Sequence, residues 1–203
     1  MSNKIEQEAK FLISDLAALE KRLLELGAQP KQVRIFEQNL RFDTPDRRLS
    51  DAYQALRLRQ DTVCRLTFKG ASDPYQDISA RAELEVQVSE LETARAILEA
   101  LGFIVMVRYE KYRSAYMLDG VEVSLDEMPF GNFCEIEGAS RESIQQAANR
   151  MGLNWAAHTK MSYLMLFERI KQVRGLSIPH LTFDAFLKID VSWADIGLML
   201  ADV

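Results

Sequence analysis

Two cysteines, two histidines and two tryptophans in 203 residues leave several kinds of chemistry with little material. Cys64 and Cys134 stand far apart without paired-ligand spacing, which speaks against a disulfide framework and a thiolate metal site. His158 and His180 have no nucleophile or ligand spacing around them and read as surface or structural residues, and Trp155 and Trp193 read as packing residues. No apolar run approaches the roughly 20 residues needed to cross a bilayer. The N-terminus also lacks a basic segment followed by an apolar core, so the expectation is a cytoplasmic chain without a membrane partner. Positive charge is in short supply too. Against 30 acidic residues stand 25 lysines and arginines, a net charge of -5, which offers no generic attraction to nucleic acid. Any phosphate binding must rest on cations gathered locally.

What is present suits a folded domain. The chain is 48% hydrophobic and 27% charged, enough for one core and far from a disordered composition. Alternation over Ile5 to Ile13 predicts a strand, Ser14-Asp15 a cap, and Leu16 to Leu26 a helix stopped by Gly27. Short runs rich in β-branched, aromatic and arginine residues fill Val33 to Val88, broken at Asp43-Thr44-Pro45-Asp46, at Asp61-Thr62 and from Gly70 to Gln76, and predict an antiparallel meander. Ser89-Glu90-Leu91-Glu92 has capping-box spacing and opens a second helix ending at Gly102. Strands are expected at Phe103 to Arg108, Tyr112 to Leu118, Val121 to Glu127 and Phe133 to Gly138, with a tight hairpin at Asp119-Gly120. Ser140 to Met151 and Tyr163 to Val173 read as helices. The pattern is α+β, and the number of strands suggests closure into a barrel.

The charged residues follow the two-residue period of a strand. Glu6, Glu8 and Lys10 share one face; so do Arg57 and Arg59; Arg65, Thr67 and Lys69; Arg81, Glu83 and Glu85; Lys111 and Arg113; Ser124 and Asp126; Glu135 and Glu137. A solvated face scatters Lys, Glu, Thr, Ser and Gln, whereas these faces cluster arginine and lysine on some strands and paired carboxylates on others. Facing a common interior, such clusters need compensating ligands. Carboxylate pairs suit hard divalent cations and the basic set suits a polyphosphate.

Glu6-x-Glu8-x-Lys10 resembles the ExExK signature of the CYTH superfamily, the triphosphate tunnel metalloenzymes. Further matches follow in order: Phe42-Asp43-Thr44-Pro45-Asp46, Ala55-Leu56-Arg57-Leu58-Arg59, Leu66-Thr67-Phe68-Lys69-Gly70, Arg81-Ala82-Glu83-Leu84-Glu85, Lys111-Tyr112-Arg113-Ser114-Ala115-Tyr116, Leu125-Asp126 ahead of Gly131 to Glu137, and Lys160-Met161-Ser162-Tyr163. The resemblance implies an eight-stranded antiparallel β-barrel forming a tunnel, with helices packed outside, over residues 1–174. It does not reach 175–203, whose apolar residues, Leu181, Phe183, Phe186 and Leu187 among them, read as a helical extension packed on that domain or at a dimer contact.

It also implies roles for individual residues. Glu6, Glu8, Asp126, Glu135 and Glu137 would hold Mg²⁺ or Mn²⁺, with Glu83 and Glu85 supporting them or serving a second site; the plainer reading of that pair is structural, holding Arg81 or other interior cations by ion pairing. Lys10, Arg57, Arg59, Lys69, Arg113 and Lys160 would grip a triphosphate, joined by Arg81 and Lys111. Glu6, Glu8, Lys10, Glu135 and Glu137 form the implied catalytic set. The expected reaction is metal-dependent hydrolysis of inorganic triphosphate, thiamine triphosphate or a nucleoside triphosphate, in a monomer or homodimer. Class IV adenylyl cyclases share the scaffold and remain the alternative, although the His-Phe pair that often precedes their ExExK-like element is missing before Glu6. A non-catalytic polyphosphate-binding module is the third reading, disfavoured by the intact carboxylate set.

Overall fold

A computed structural model describes residues 4–71 and 77–203, with side chains of the first segment described from Gln7 onward. Eight antiparallel strands close into a barrel: β1 (Lys4–Ile13), β2 (Gln29–Asp43), β3 (Ala55–Gln60), β4 (Cys64–Lys69), β5 (Ser79–Val88), β6 (Ile104–Leu118), β7 (Val121–Met128) and β8 (Gly131–Gly138). Their order around the ring is β1-β5-β4-β3-β2-β6-β7-β8, and β8 returns to β1. The meander expected over the first half is therefore β2 to β5. Helices α1 (Leu16–Glu25), α2 (Arg48–Asp51), α3 (Leu91–Ala100), α4 (Arg141–Arg150) and α5 (Tyr163–Arg174) lie between or after the strands.

Two expectations need correcting. The predicted strands at Phe103 to Arg108 and Tyr112 to Leu118 are one strand of 15 residues, β6, because the intervening Tyr109-Glu110-Lys111 continues to pair with β2. The capping box at Ser89 does not form: α3 is capped by Glu90, whose side chain takes no capping bond but accepts one from Thr93 Oγ1 at 2.8 Å. The predicted hairpin does turn at Asp119-Gly120, both residues at positive φ as a tight two-residue turn requires.

Outward-facing residues make the main core. Ala9, Phe11, Val123, Leu125, Cys134 and Ile136 from β1, β7 and β8 are buried against Leu19 and Leu23 of α1 and Ile144, Ala147 and Ala148 of α4. The i, i+4 and i, i+3, i+4 spacings put one apolar stripe of each helix on the sheet. Each such fully buried Leu, Ile or Phe contributes about 2 kcal/mol.

A second core closes one end of the barrel. Leu12, Met128 and Phe133 have the strand parity of lumen-facing residues, and they pack with Tyr163, Leu166, Phe167 and Ile170 of α5 and with Leu181, Phe186 and Ile196 beyond it. The segment after α5 bonds directly to the strands. Leu181 bridges to Tyr109, Leu200 bridges to Leu12, and the Asp202 carboxylate accepts bonds from the Ser14 and Asp15 amides.

Candidate active site in the barrel interior

Register puts the charged faces together. Lys10 lies opposite Glu135 and Glu8 opposite Glu137 on the β1–β8 pair, while Arg113 lies opposite Asp126 on β6–β7. Lys10 Nζ donates to Glu135 Oε1 at 2.6 Å, and the Arg113 guanidinium bridges Asp126 and Glu135, with Nε to Asp126 Oδ1 at 2.6 Å. Lys111 Nζ donates to Asp126 Oδ2 at 3.1 Å and stands 3.6 Å from Glu37. These buried and half-buried ionised groups form one network in which acids and bases alternate.

The electrostatics follow from burial set against partners. Burial works against ionisation of Glu135, but Lys10, Arg113 and Lys111 outweigh it and hold its carboxyl well below the usual range. Burial likewise opposes the Lys10 ammonium, yet Glu135 and Glu8 raise its pKa. Glu37, 1% exposed, is also penalised by burial. Lys111, Arg113, Arg59 and Arg57 nonetheless lower its pKa to about 2.

The opposite wall is basic. Arg57 and Arg59 on β3 lie opposite Arg41 and Asn39 on β2. Arg57 reaches the Tyr109 hydroxyl at 3.5 Å, while Arg59 stands 3.4 to 3.9 Å from Asp61, Glu85 and Glu37. Lys69 pairs with Glu83 at 2.8 Å, Thr67 donates to Glu85 at 2.8 Å, and Arg81 is 3.9 Å from Glu8. Among the described residues, Arg57 Nε and both amide atoms of Asn39 are buried without a hydrogen-bond partner, and Arg59 Nε has only the 3.4 Å approach to Asp61. A buried polar group left unpaired costs about 1 to 3 kcal/mol, so these atoms mark where a ligand would be stabilised.

Of the residues nominated from sequence, Glu8, Lys10, Glu135 and Glu137 share the β1–β8 wall; Lys111, Arg113 and Asp126 adjoin it; Arg57, Arg59, Lys69, Arg81, Glu83 and Glu85 line β3 to β5. The Glu6 side chain lies outside the described residues, though its backbone pairs with Arg81. Lys160 is exposed beside Thr159, which bridges to Lys10. Sequence reasoning missed Glu37, Asn39 and Arg41, although their alternation with Leu40 and Phe42 carried the signal. It also missed Tyr109 and Tyr163, whose side chains enter the network from β6 and α5. Tyr163 donates its hydroxyl to Asp126 Oδ2 at 2.6 Å and sets its ring 4.5 Å from Lys10 Nζ. Asp43, in the motif that runs from Phe42 to Asp46, acts locally. Its carboxylate accepts bonds from the Thr44, Leu49 and Ser50 amides and so ties the loop after β2 to α2.

The donor chemistry of the β1–β8 wall suits a hard divalent cation, since Glu8, Glu135 and Glu137 offer only carboxylate oxygens on one face. Among the described residues no three such side chains are already gathered around one point. Glu135 is instead turned to Lys10 and Arg113, and Asp126 is taken up by Arg113, Lys111 and Tyr163.

A closed antiparallel barrel whose interior is lined by interleaved acids and bases defines a class of protein, and comparison with known proteins gives its family. The CYTH domain matches residues 4–157, and the chain belongs to that family. It is 32% identical over 136 residues, 66% of this chain and 76% of the relative, to the Methanocaldococcus jannaschii protein MJ0240, named as a candidate adenylate cyclase. It is 25% identical over 186 residues, 87% of this chain and 95% of the relative, to adenylate cyclase CyaB of Aeromonas hydrophila. Among solved structures, a candidate adenylate cyclase from Vibrio parahaemolyticus has the same fold, with a TM-score of 0.73 at 22% identity over 82% of this chain and 99% of that one. Another is the Hippeastrum protein HpAC1, described as a candidate adenylyl cyclase with a dominant triphosphatase activity. It has a TM-score of 0.57 at 18% identity over 86% of this chain and 97% of that one.

Proposed function

We propose that this chain is a metal-dependent triphosphatase that holds a triphosphate along the barrel interior and releases phosphate from it. The observation that carries this reading is the division of the interior into a wall rich in carboxylates, β1 and β8, and a wall rich in arginines, β2 and β3, which also carries Glu37 and Asn39. Buried cations with unpartnered donors favour an anionic ligand, and the adjacent acids would repel that anion unless a cation joined it. Mg²⁺ or Mn²⁺ held by Glu8, Glu135 and Glu137, with Glu6 the remaining acid of the motif, would supply charge neutralisation and a more acidic bound water.

The protein's own groups do the rest. Arg57, Arg59 and Arg113 donate to phosphate oxygens, with Lys10, Lys69, Arg81, Lys111 and Lys160 as further cations. Pairing with Glu135 and Glu8 keeps Lys10 protonated, so it can bind an anion throughout the neutral range. Tyr163 stays a donor as well, since burial and the Asp126 charge hold its pKa well above the ordinary value. No side-chain nucleophile is required, and burial pushes the thiol of Cys134 up and away from thiolate chemistry.

A second reading is adenylyl cyclase, favoured by the names of the two curated relatives. Incubating the protein with Mg²⁺ or Mn²⁺ and, in turn, inorganic triphosphate, thiamine triphosphate and ATP decides between them. Phosphate release is expected. Cyclic AMP with pyrophosphate from ATP, and no phosphate from any of the three, would overturn the hydrolase reading in favour of the cyclase.

A further inference from the structure

Asn39 is 0% exposed on the lumen face of β2, and among the described residues neither its amide nitrogen nor its amide oxygen has a partner. Its direct cross-strand neighbours are Arg59 on β3 and Tyr109 on β6, and Glu37 and Arg41 flank it on the same face. It is the neutral member of a wall otherwise made of ionised groups and a phenol. In the ring β2 stands four strands from β1 in either direction, so Asn39 faces the carboxylate strand across the interior.

The unpartnered atoms differ in kind. Arg57 Nε and Asn39 Nδ2 are donors, and a phosphoryl group, which offers acceptors, would satisfy both. Asn39 Oδ1 is an acceptor, and an ionised phosphate has no hydrogen to give it. Exchanging the amide's two ends changes nothing, because either orientation presents one donor and one acceptor at the same place. A water beside the phosphoryl group would supply the missing hydrogen. An amide that spans a phosphoryl oxygen and the attacking water is a known means of orienting that water, used by the glutamine of GTPases.

We propose that Asn39 is a catalytic residue of the hydrolysis, donating to an oxygen of the phosphoryl group under attack and accepting a hydrogen bond from the attacking water. This rests on the triphosphatase reading. As the water oxygen bonds to phosphorus, the bridging P–O bond to the rest of the polyphosphate breaks. The water's proton passes to a phosphoryl oxygen of the product, since an amide can orient it but not take it up.

The test uses the full chain with Mg²⁺ or Mn²⁺ and inorganic triphosphate, comparing wild type, Asn39→Ala and Asn39→Asp. Loss of a positioned polar group of this kind costs on the order of 10² in kcat. Asn39→Ala should lose that much in kcat with a smaller rise in KM and an unshifted melting temperature. Asn39→Asp retains the acceptor and adds a charge unfavourable to phosphate, so it should keep a higher kcat than Asn39→Ala while raising KM. An unchanged kcat in Asn39→Ala, or a kcat in Asn39→Asp at or below that of Asn39→Ala, overturns the role. Should Asn39→Ala fail to fold, Asn39→Ser replaces it, with the same expectation of a kcat loss larger than the KM change. A wild type that triphosphate stabilises against heat but does not cleave overturns the reaction itself, and Asn39 with it.

Discussion

Lys10 and Glu135 are 125 residues apart in sequence and 2.6 Å apart across the β1–β8 pair, where Glu135 is also held by Arg113. The residue ending the first acidic motif and the residue opening the last therefore satisfy each other. Carboxylates proposed to hold a metal and bases proposed to hold phosphate are thus partners of one another, and either role would require them to exchange partners.

Glu135→Gln should abolish most metal-dependent turnover, because one of three carboxylate donors on the wall is lost. It should also destabilise the protein, since Lys10 and Arg113 lose a buried counter-charge, a change that typically costs about 3 to 5 kcal/mol. Inorganic triphosphate should restore part of the lost melting temperature by replacing that charge. Full activity in the variant would remove Glu135 from the proposed metal set. A melting temperature equal to wild type would show that Lys10 and Arg113 do not depend on it.

Arg57→Ala removes a guanidinium whose Nε is buried and unpartnered among the described residues and whose hydrogen bond to the Tyr109 hydroxyl is long, at 3.5 Å. A charge-assisted hydrogen bond contributes about 1.5 to 3 kcal/mol, so the KM for inorganic triphosphate should rise about 10- to 100-fold. The expected change in kcat is smaller. Both constants unchanged in steady-state kinetics would take Arg57 out of the phosphate grip.

The legibility of these residues from sequence followed strand alternation. Glu8, Lys10, Arg57, Arg59, Glu135 and Glu137 stood in short strands where every second residue was charged, so one shared face was evident before any fold was known. Glu37, Asn39 and Arg41 obeyed the same alternation, but Glu37-x-Asn39-x-Arg41 mixes an acid, an amide and a base and signals no single ligand. Ion pairing of Glu83 and Glu85 with interior cations was legible, but the pairs of Lys111 were not, because Lys111 meets Glu37 and Asp126 only through the β2–β6 and β6–β7 register. The long β6 was split for a related reason: Tyr109-Glu110-Lys111 has no apolar alternation of its own, and its strand conformation is imposed by pairing with β2.

Acid should weaken the fold through Glu37. Its folded pKa, about 2, lies below the ordinary glutamate value of 4.5, so its contribution to stability is complete above pH 4.5 and is lost as pH falls towards 2. That difference corresponds to about 3 kcal/mol at neutral pH, from attraction to Lys111, Arg113, Arg59 and Arg57 that exceeds the burial penalty. Glu37→Gln should therefore melt well below wild type at pH 7, with the gap narrowing below pH 4.5 and nearly closed at pH 2. A constant gap from pH 7 to pH 2 in thermal melts would show that the carboxylate charge is not what stabilises this site.

Tyr163 links the α5 plug to the charged interior in two ways that separate by substitution. Tyr163→Phe keeps the ring beside Lys10 but removes the hydroxyl from Asp126 Oδ2, an acceptor that Lys111 and Arg113 also serve. The loss should be about 1.5 kcal/mol, the lower end for a hydrogen bond to a charged group, because the carboxylate retains other donors. Tyr163→Leu additionally removes the ring from Lys10, whose Nζ lies 4.5 Å from the centroid in a desolvated setting, and should cost about 1 to 2 kcal/mol more. Urea unfolding of the three proteins measures both steps. If Tyr163→Phe matches wild type, Asp126 draws its whole satisfaction from Lys111 and Arg113, and α5 holds the barrel end by apolar packing alone. If Tyr163→Leu costs no more than Tyr163→Phe, the Lys10 contact with the ring carries no stability, and the ammonium depends on Glu135 and Glu8.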